Sequence, residues 1–170
     1  MNKIENIGIT DSKSFALASK VKDYFQLIKF TLSFMVVFST VVSFLIAPYE
    51  HVYTRHPLLS VLLLFVAGLF ITGSANTINQ VLEKETDAMM LRTAKRPIAS
   101  GRMSVNEGYI FAFITGLLGF GMMWYFFNLN SALVGLASLF IYGFVYTPLK
   151  KINSIAVLVG AIEFNFFRGA

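Results

Sequence analysis

The chain has 170 residues, of which 56% are hydrophobic and only 14% charged, whereas a soluble domain carries roughly 25% charged residues. That balance points to lipid as the solvent, and the absence of cysteine excludes disulfide frameworks and thiolate metal sites. A net charge of +5 invites a nucleic-acid reading, but the positions of the basic residues have a different explanation.

In chain order, residues 1–26 read as a polar, Ser/Lys-rich cytoplasmic tail ending in an interfacial segment, VKDYFQLIK. No charge falls between Phe30 and Tyr49, between Pro57 and Leu82, or between Gly108 and Leu149. A hydrocarbon core of ~30 Å takes about 20 apolar residues of helix, so the first two runs fit one span each and the third fits two. The expected spans are Leu27–Ala47, Leu58–Val81, Gly108–Phe127 and Ala132–Thr147, with a hinge at Asn128-Leu129-Asn130-Ser131. The first run exceeds the roughly 7–15 apolar residues of a cleaved signal peptide and is expected to be retained.

Lys3, Lys13, Lys20, Lys22 and Lys29 precede or open the first span, and Arg55 alone lies in the next loop. Lys84, Arg92, Lys95, Arg96 and Arg102 follow the second span, no basic residue lies at Asn128, and Lys150 and Lys151 follow the fourth. This alternation is the positive-inside pattern, placing the N-terminus and the Asn79–Gly101 segment on the cytoplasmic side. Topology explains the charge without nucleic acid. A fifth apolar stretch, Ile155–Ile162, is too short to cross, and Glu163 and Arg168 then stand where a span would continue, at a cost of about 2.5–3.5 kcal/mol each at bilayer depth. The expected fold is all-α: a polytopic helix bundle of four full spans plus a truncated fifth. Its divisions are the tail 1–26, a membrane domain 27–162 and an aberrant tail 163–170. Small residues (Gly68, Gly73, Ser74, Ala75, Gly116, Gly119, Gly121, Gly135, Gly143) are expected to let helices approach closely.

The stretch NQVLEKETDAMMLRTAKRPIASG, Asn79–Gly101, interrupts this apolar pattern. Asn79, Glu83 and Asp87 are spaced i, i+4, i+8; each step drifts about 40° and rises ~6 Å, so one helix face can carry all three. Such an oxygen-rich row suits Mg²⁺, which is usually held by one or two carboxylates plus substrate phosphates. Arg92 and Arg96 follow, with the planar fork that matches phosphate oxygens. Pro97 is expected to end the helix at Arg96, and Gly101 permits a tight turn. Metal and arginines together could stabilise the charge that grows on a departing diphosphate. The spacing leaves a second reading open, in which these charges are a solvated interfacial loop. Lys150 and Lys151 in YTPLKK are open in the same way: diphosphate ligands or topological charges. His51 and His56 read as loop residues on the opposite side, and Trp124 and Tyr125 as an interfacial aromatic belt.

Asn79-x3-Glu83-x3-Asp87, followed by Met90-x-Arg92-Thr93-x-x-Arg96-Pro97 and Gly101, resembles the first diphosphate motif of the UbiA-type membrane prenyltransferases. The M-x-R-T-x-x-R-P continuation, and Tyr146-Thr147-Pro148-Leu149-Lys150-Lys151 with Asn153, resemble the haem o synthase (protohaem IX farnesyltransferase) branch. The resemblance covers roughly Lys22–Ile162. It implies a helix bundle, nine spans in the complete family, with a site open to the cytoplasm. It further implies farnesyl transfer from farnesyl diphosphate to a vinyl group of haem b, with Mg²⁺ as cofactor. By the same resemblance Asn79, Glu83 and Asp87 hold the metal–diphosphate, and Arg92, Arg96 and Lys150 bind phosphate. The lack of a long targeting presequence leans toward a bacterial inner membrane, and the resemblance implies terminal-oxidase assembly partners.

Three departures stand out. Glu83 occupies a position where the family commonly has Asp. The tail after Ile162 leaves the family pattern. No second D-x-x-x-D motif occurs, so the chain is expected to be an N-terminal fragment with little or no activity of its own. The alternatives are a UbiA-type enzyme acting on a quinone or chlorin ring, or a non-catalytic four-span scaffold whose charged loop docks a partner.

Overall fold

Helices account for most of the described residues, 18–46 and 57–147, of a computed structural model, and no strand occurs among them. They are α1 (Ala18–Leu27), α2 (Phe30–Ile46), α3 (Pro57–Leu82), α4 (Lys84–Met89), α5 (Val105–Phe126) and α6 (Leu129–Phe140), the last continuing as a π-helical turn, Ile141–Tyr146. Three continuous segments are long and apolar enough to cross a membrane: Leu58–Leu82, Val105–Phe126 and Leu129–Tyr146. α1 and α2, bent by 52° at their junction, make a fourth if the pair is one span. The chain is therefore a membrane helix bundle. The expected fifth stretch, His51, His56, Lys150 and the tail 163–170 lie outside the described residues.

The segment boundaries follow local chemistry. Pro57 opens α3, where its missing N–H costs nothing. The side chain of Ser104 caps α5 by accepting from the Glu107 N–H (3.1 Å), and Asn128 caps α6 by accepting from the Ser131 N–H (2.6 Å). The polar break expected at Asn128 is thus a helix cap between two antiparallel spans.

α3 is the central element and packs against α2, α4, α5, α6 and the π-helical turn. One apolar cluster (Val41, Leu64, Ala67, Ile71, Met123, Ala132) fills the middle of the bundle. A second (Leu27, Val81, Ile98, Met103) lies beneath the α4–α5 connection. Small residues set the spacing, as expected. A Cβ on Gly119 would lie 2.7 Å from Ile71 Cγ1, 3.0 Å from the Ile71 nitrogen and 3.1 Å from the Ala67 carbonyl oxygen. Gly121 differs from the expectation: a Cβ there meets nothing within 4 Å among the described residues. Because backbone atoms cannot rotate aside, Gly119→Ala is expected to destabilise the bundle by about 1–3 kcal/mol. Gly121→Ala should instead stabilise by about 0.5–1 kcal/mol through helix propensity alone. Thermal unfolding in detergent compares the two.

α4 ends earlier than Pro97 suggests. The helix stops at Met89, with Met90 extended (φ −98°, ψ 125°), rather than at Arg96. The Asp87 carbonyl accepts from the Met90 N–H (3.3 Å) and the Thr93 hydroxyl (2.9 Å), which turns the chain before the proline is reached. Residues 90–103 then form successive turns, with Gly101 at φ 77° and Thr93, Pro97, Ile98 and Met103 buried beneath them.

Candidate diphosphate site

Asn79, Glu83 and Asp87 are 1%, 5% and 4% exposed. The solvated-loop reading is therefore wrong for these side chains, although Lys84 and Glu85 between them do face outward. The helix is interrupted at Glu83 (φ −98°, ψ 8°). The Glu83 N–H still donates to the Asn79 carbonyl (3.0 Å), and the Asp87 N–H to the Glu83 carbonyl (2.7 Å), so the i, i+4, i+8 register survives the break.

The buried row is closed by cations and by a second helix. Asp87 Oδ2 accepts from Arg96 Nη1 at 2.5 Å, with Asp87 enclosed and Arg96 a quarter exposed. Asn79 Oδ1 accepts from Lys29 Nζ (3.1 Å), while Asn79 Nδ2 donates to Thr147 Oγ1 (3.1 Å). Thr147 follows the π-helical turn and itself donates to the Tyr142 carbonyl (2.9 Å). π-Turns change which residues face a neighbouring helix and recur at functional sites. Here Gly143 lets the turn close on Ile78, where a Cβ on residue 143 would lie 3.2 Å from Ile78 Cγ2. Thr147 thus reaches the row, a residue to which the sequence reading gave no role of its own. Glu83 makes interactions of its own.

The α1–α2 elbow is fixed against the same helix. Breaking a helix frees carbonyl groups that a membrane protein must satisfy internally. Gln80 Nε2 donates to the carbonyls of Gln26 (3.2 Å) and Leu27 (2.7 Å), and Asn76 Nδ2 to that of Ile28 (3.2 Å) and to Ser33 Oγ (3.0 Å). Arg102 adds a second tie, from Nε to Asp23 Oδ1 (2.9 Å) and from Nη2 to Gln26 Oε1 and the Lys95 carbonyl (both 3.0 Å). At the edge, Lys20 and Tyr24 bond Glu107 at 3.0 and 2.9 Å, joining α1 to α5. Gln80, Asp23 and Arg102 thus do work that sequence reading missed. A polar amide inside an apolar span was the available signal for Asn76 and Gln80.

Of the expected phosphate ligands, Arg96 joins the row directly. Arg92 is exposed, and no hydrogen bond or ion pair ties it to the row among the described residues. Lys95 is exposed as well. Among the described residues no group of three His, Cys, Asp or Glu side chains could cage a metal alone. The donor set is two carboxylates and one amide oxygen, hard ligands suited to Mg²⁺ only with phosphate oxygens completing the shell. Lys29 and Arg96 already place positive charge on the two ends of the row, so its oxygens are arranged to accept cations. By donor chemistry alone these residues suit the ion.

Comparisons with known proteins bear on the family of the chain. Residues 36–167 match the model of the UbiA prenyltransferase family. Protoheme IX farnesyltransferase of Cytophaga hutchinsonii is 38% identical over 150 residues, covering 88% of this chain and 51% of that protein. The enzyme of the same name from Flavobacterium psychrophilum is 37% identical over 145 residues, covering 85% of this chain and 47% of the relative. The mitochondrial protoheme IX farnesyltransferase of Emericella nidulans is 33% identical over 173 residues, covering 94% and 34%. The chain thus spans about half the length, or less, of the curated relatives it matches. No solved structure matches. With a family match across most of its length and a buried Asn–Glu–Asp row at the end of its central span, this chain belongs to the UbiA prenyltransferase family.

Proposed function

We propose that the chain supplies the diphosphate-binding half of a protohaem IX farnesyltransferase, which moves farnesyl from farnesyl diphosphate to a vinyl group of haem b. The observation that carries this reading is the buried row Asn79, Glu83, Asp87 with Lys29 and Arg96 on its ends. The relatives' name supports the acceptor.

In this reading Asn79, Glu83 and Asp87 hold Mg²⁺. The ion, when bound, supplies charge neutralisation to the diphosphate. Arg96 turns its guanidinium from Asp87 to the phosphate oxygens and stabilises the negative charge that grows there. Thr147 orients the Asn79 amide so that its oxygen faces the ligand. Arg92, on the exposed turn, meets phosphate from the outer side, and Lys150 is a further phosphate ligand by the resemblance of its segment. As the C1–O bond of farnesyl diphosphate breaks, its electron pair leaves with diphosphate. The vinyl π electrons then bond to C1, and water adds to the resulting cation with loss of a proton, giving the hydroxyl of haem o. The charge pattern supports a site on the cytoplasmic side, and the bacterial relatives support an inner-membrane location.

A chimaera tests this reading: residues 18–162 of this chain replace the matching part of the Cytophaga hutchinsonii relative, and haem o is measured by chromatography after expression with excess haem b. Haem o formation is the expected result. A chimaera that inserts into the membrane but forms no haem o, while the parent does, counts against the reading.

A further inference from the structure

Asp87 and Arg96, the ion pair at the end of the acidic row, are nine residues apart, and most of the chain between them is not helical. α4 ends at Met89, and every residue from Ala88 to Arg92 is exposed, so burial does little to fix this stretch. Thr93 is the first buried residue beyond it, 4% exposed. Its hydroxyl donates to the Asp87 carbonyl (2.9 Å), and its own carbonyl accepts from the Arg96 N–H (2.9 Å). One residue thus ties the backbone of the carboxylate to the backbone of the guanidinium.

The backbone of the turn is bonded without that hydroxyl. The Asp87 carbonyl also accepts from the Met90 N–H (3.3 Å), and the Met90 carbonyl accepts from the N–H groups of Thr93 (3.0 Å) and Ala94 (2.8 Å). A valine would fill the same space and need no partner, whereas a buried hydroxyl costs free energy unless it is bonded. The hydroxyl adds a second bond to the carbonyl of Asp87, the residue whose Oδ2 accepts from Arg96. No hydrogen bond to Asp87 Oδ1 occurs among the described residues. With one carboxylate oxygen given to the guanidinium, the other is the one open to a metal ion.

We infer that Thr93 is a positioning residue for the metal–diphosphate site, its hydroxyl fixing the end of α4 so that Asp87 Oδ1 meets the ion while Oδ2 stays within reach of Arg96. The inference rests on the reading of the row as a diphosphate site. A threonine that only fills space beneath the loop would behave differently when its hydroxyl and its methyl are removed separately.

Inorganic pyrophosphate, titrated calorimetrically into the full chain in detergent over a range of MgCl₂ concentrations, separates the two. Thr93→Val keeps the shape and loses the hydroxyl. It is expected to raise the MgCl₂ needed for half-maximal binding by about tenfold, with binding recovered at higher MgCl₂. Thr93→Ser keeps the hydroxyl and loses the methyl, and should stay within about twofold of the unsubstituted chain. The reverse order, Ser impaired and Val not, is what packing alone would give, and it overturns the role of Thr93. An unchanged MgCl₂ requirement in Thr93→Val overturns it as well. So does a loss in both variants that MgCl₂ does not recover and that follows a lowered melting temperature. With Asp87→Asn losing binding in the same assay, each of these results leaves the site reading intact. No pyrophosphate binding by the unsubstituted chain overturns the site reading and this inference with it.

Discussion

Arg96→Ala is expected to destabilise the chain by about 2–3 kcal/mol, below the ~3–5 kcal/mol of a fully buried broken pair. The discount reflects a guanidinium a quarter exposed to solvent, whereas its partner, Asp87, is enclosed and would be left without a counter-charge. The same substitution together with Asp87→Asn removes both charges and should recover most of the loss, because a neutral amide costs less to bury than a lone carboxylate. Chemical unfolding in detergent of the single and double variants gives the coupling. A single variant as stable as the parent would show that Asp87 does not depend on Arg96 in the metal-free chain.

The second large effect falls on ligand binding. Asp87→Asn keeps the shape of the side chain and an acceptor oxygen for Arg96, yet removes one of the two carboxylates in the row. Mg²⁺ is a hard cation that is usually held by one or two carboxylates together with phosphate. Loss of half of the charge should remove the Mg²⁺-dependent part of diphosphate binding, a weakening of about tenfold or more. Stability should change little beside Arg96→Ala, so the two substitutions separate holding the site from using it.

Much of this site was readable in the sequence because helical period is a local property. Asn79, Glu83 and Asp87 fall on one face at fixed spacing, and the structure keeps that register across the break at Glu83. Span positions were legible for the same reason, since uncharged runs of sufficient length have few alternatives in lipid. The end of α4 was misjudged because Pro97 is a conspicuous stop, whereas the turn at Met90 is made by a threonine hydroxyl on a carbonyl six residues earlier. Contacts across long sequence separations were not legible at all. Arg102 reads as a topological charge until it is seen on Asp23, and Lys29 reads as the start of a span until it is seen on Asn79. Nor does any local pattern announce the π-helical turn that delivers Thr147. Burial excludes the solvated reading for Asn79, Glu83 and Asp87, and burial depends on what packs over a residue.

The most direct test is titration of the unsubstituted chain with inorganic pyrophosphate, with and without MgCl₂, beside Asp87→Asn. Saturable binding that requires Mg²⁺ and is lost in Asp87→Asn is the predicted result. Binding that ignores Mg²⁺, or survives unchanged in Asp87→Asn, would contradict a metal–diphosphate site on Asn79, Glu83 and Asp87.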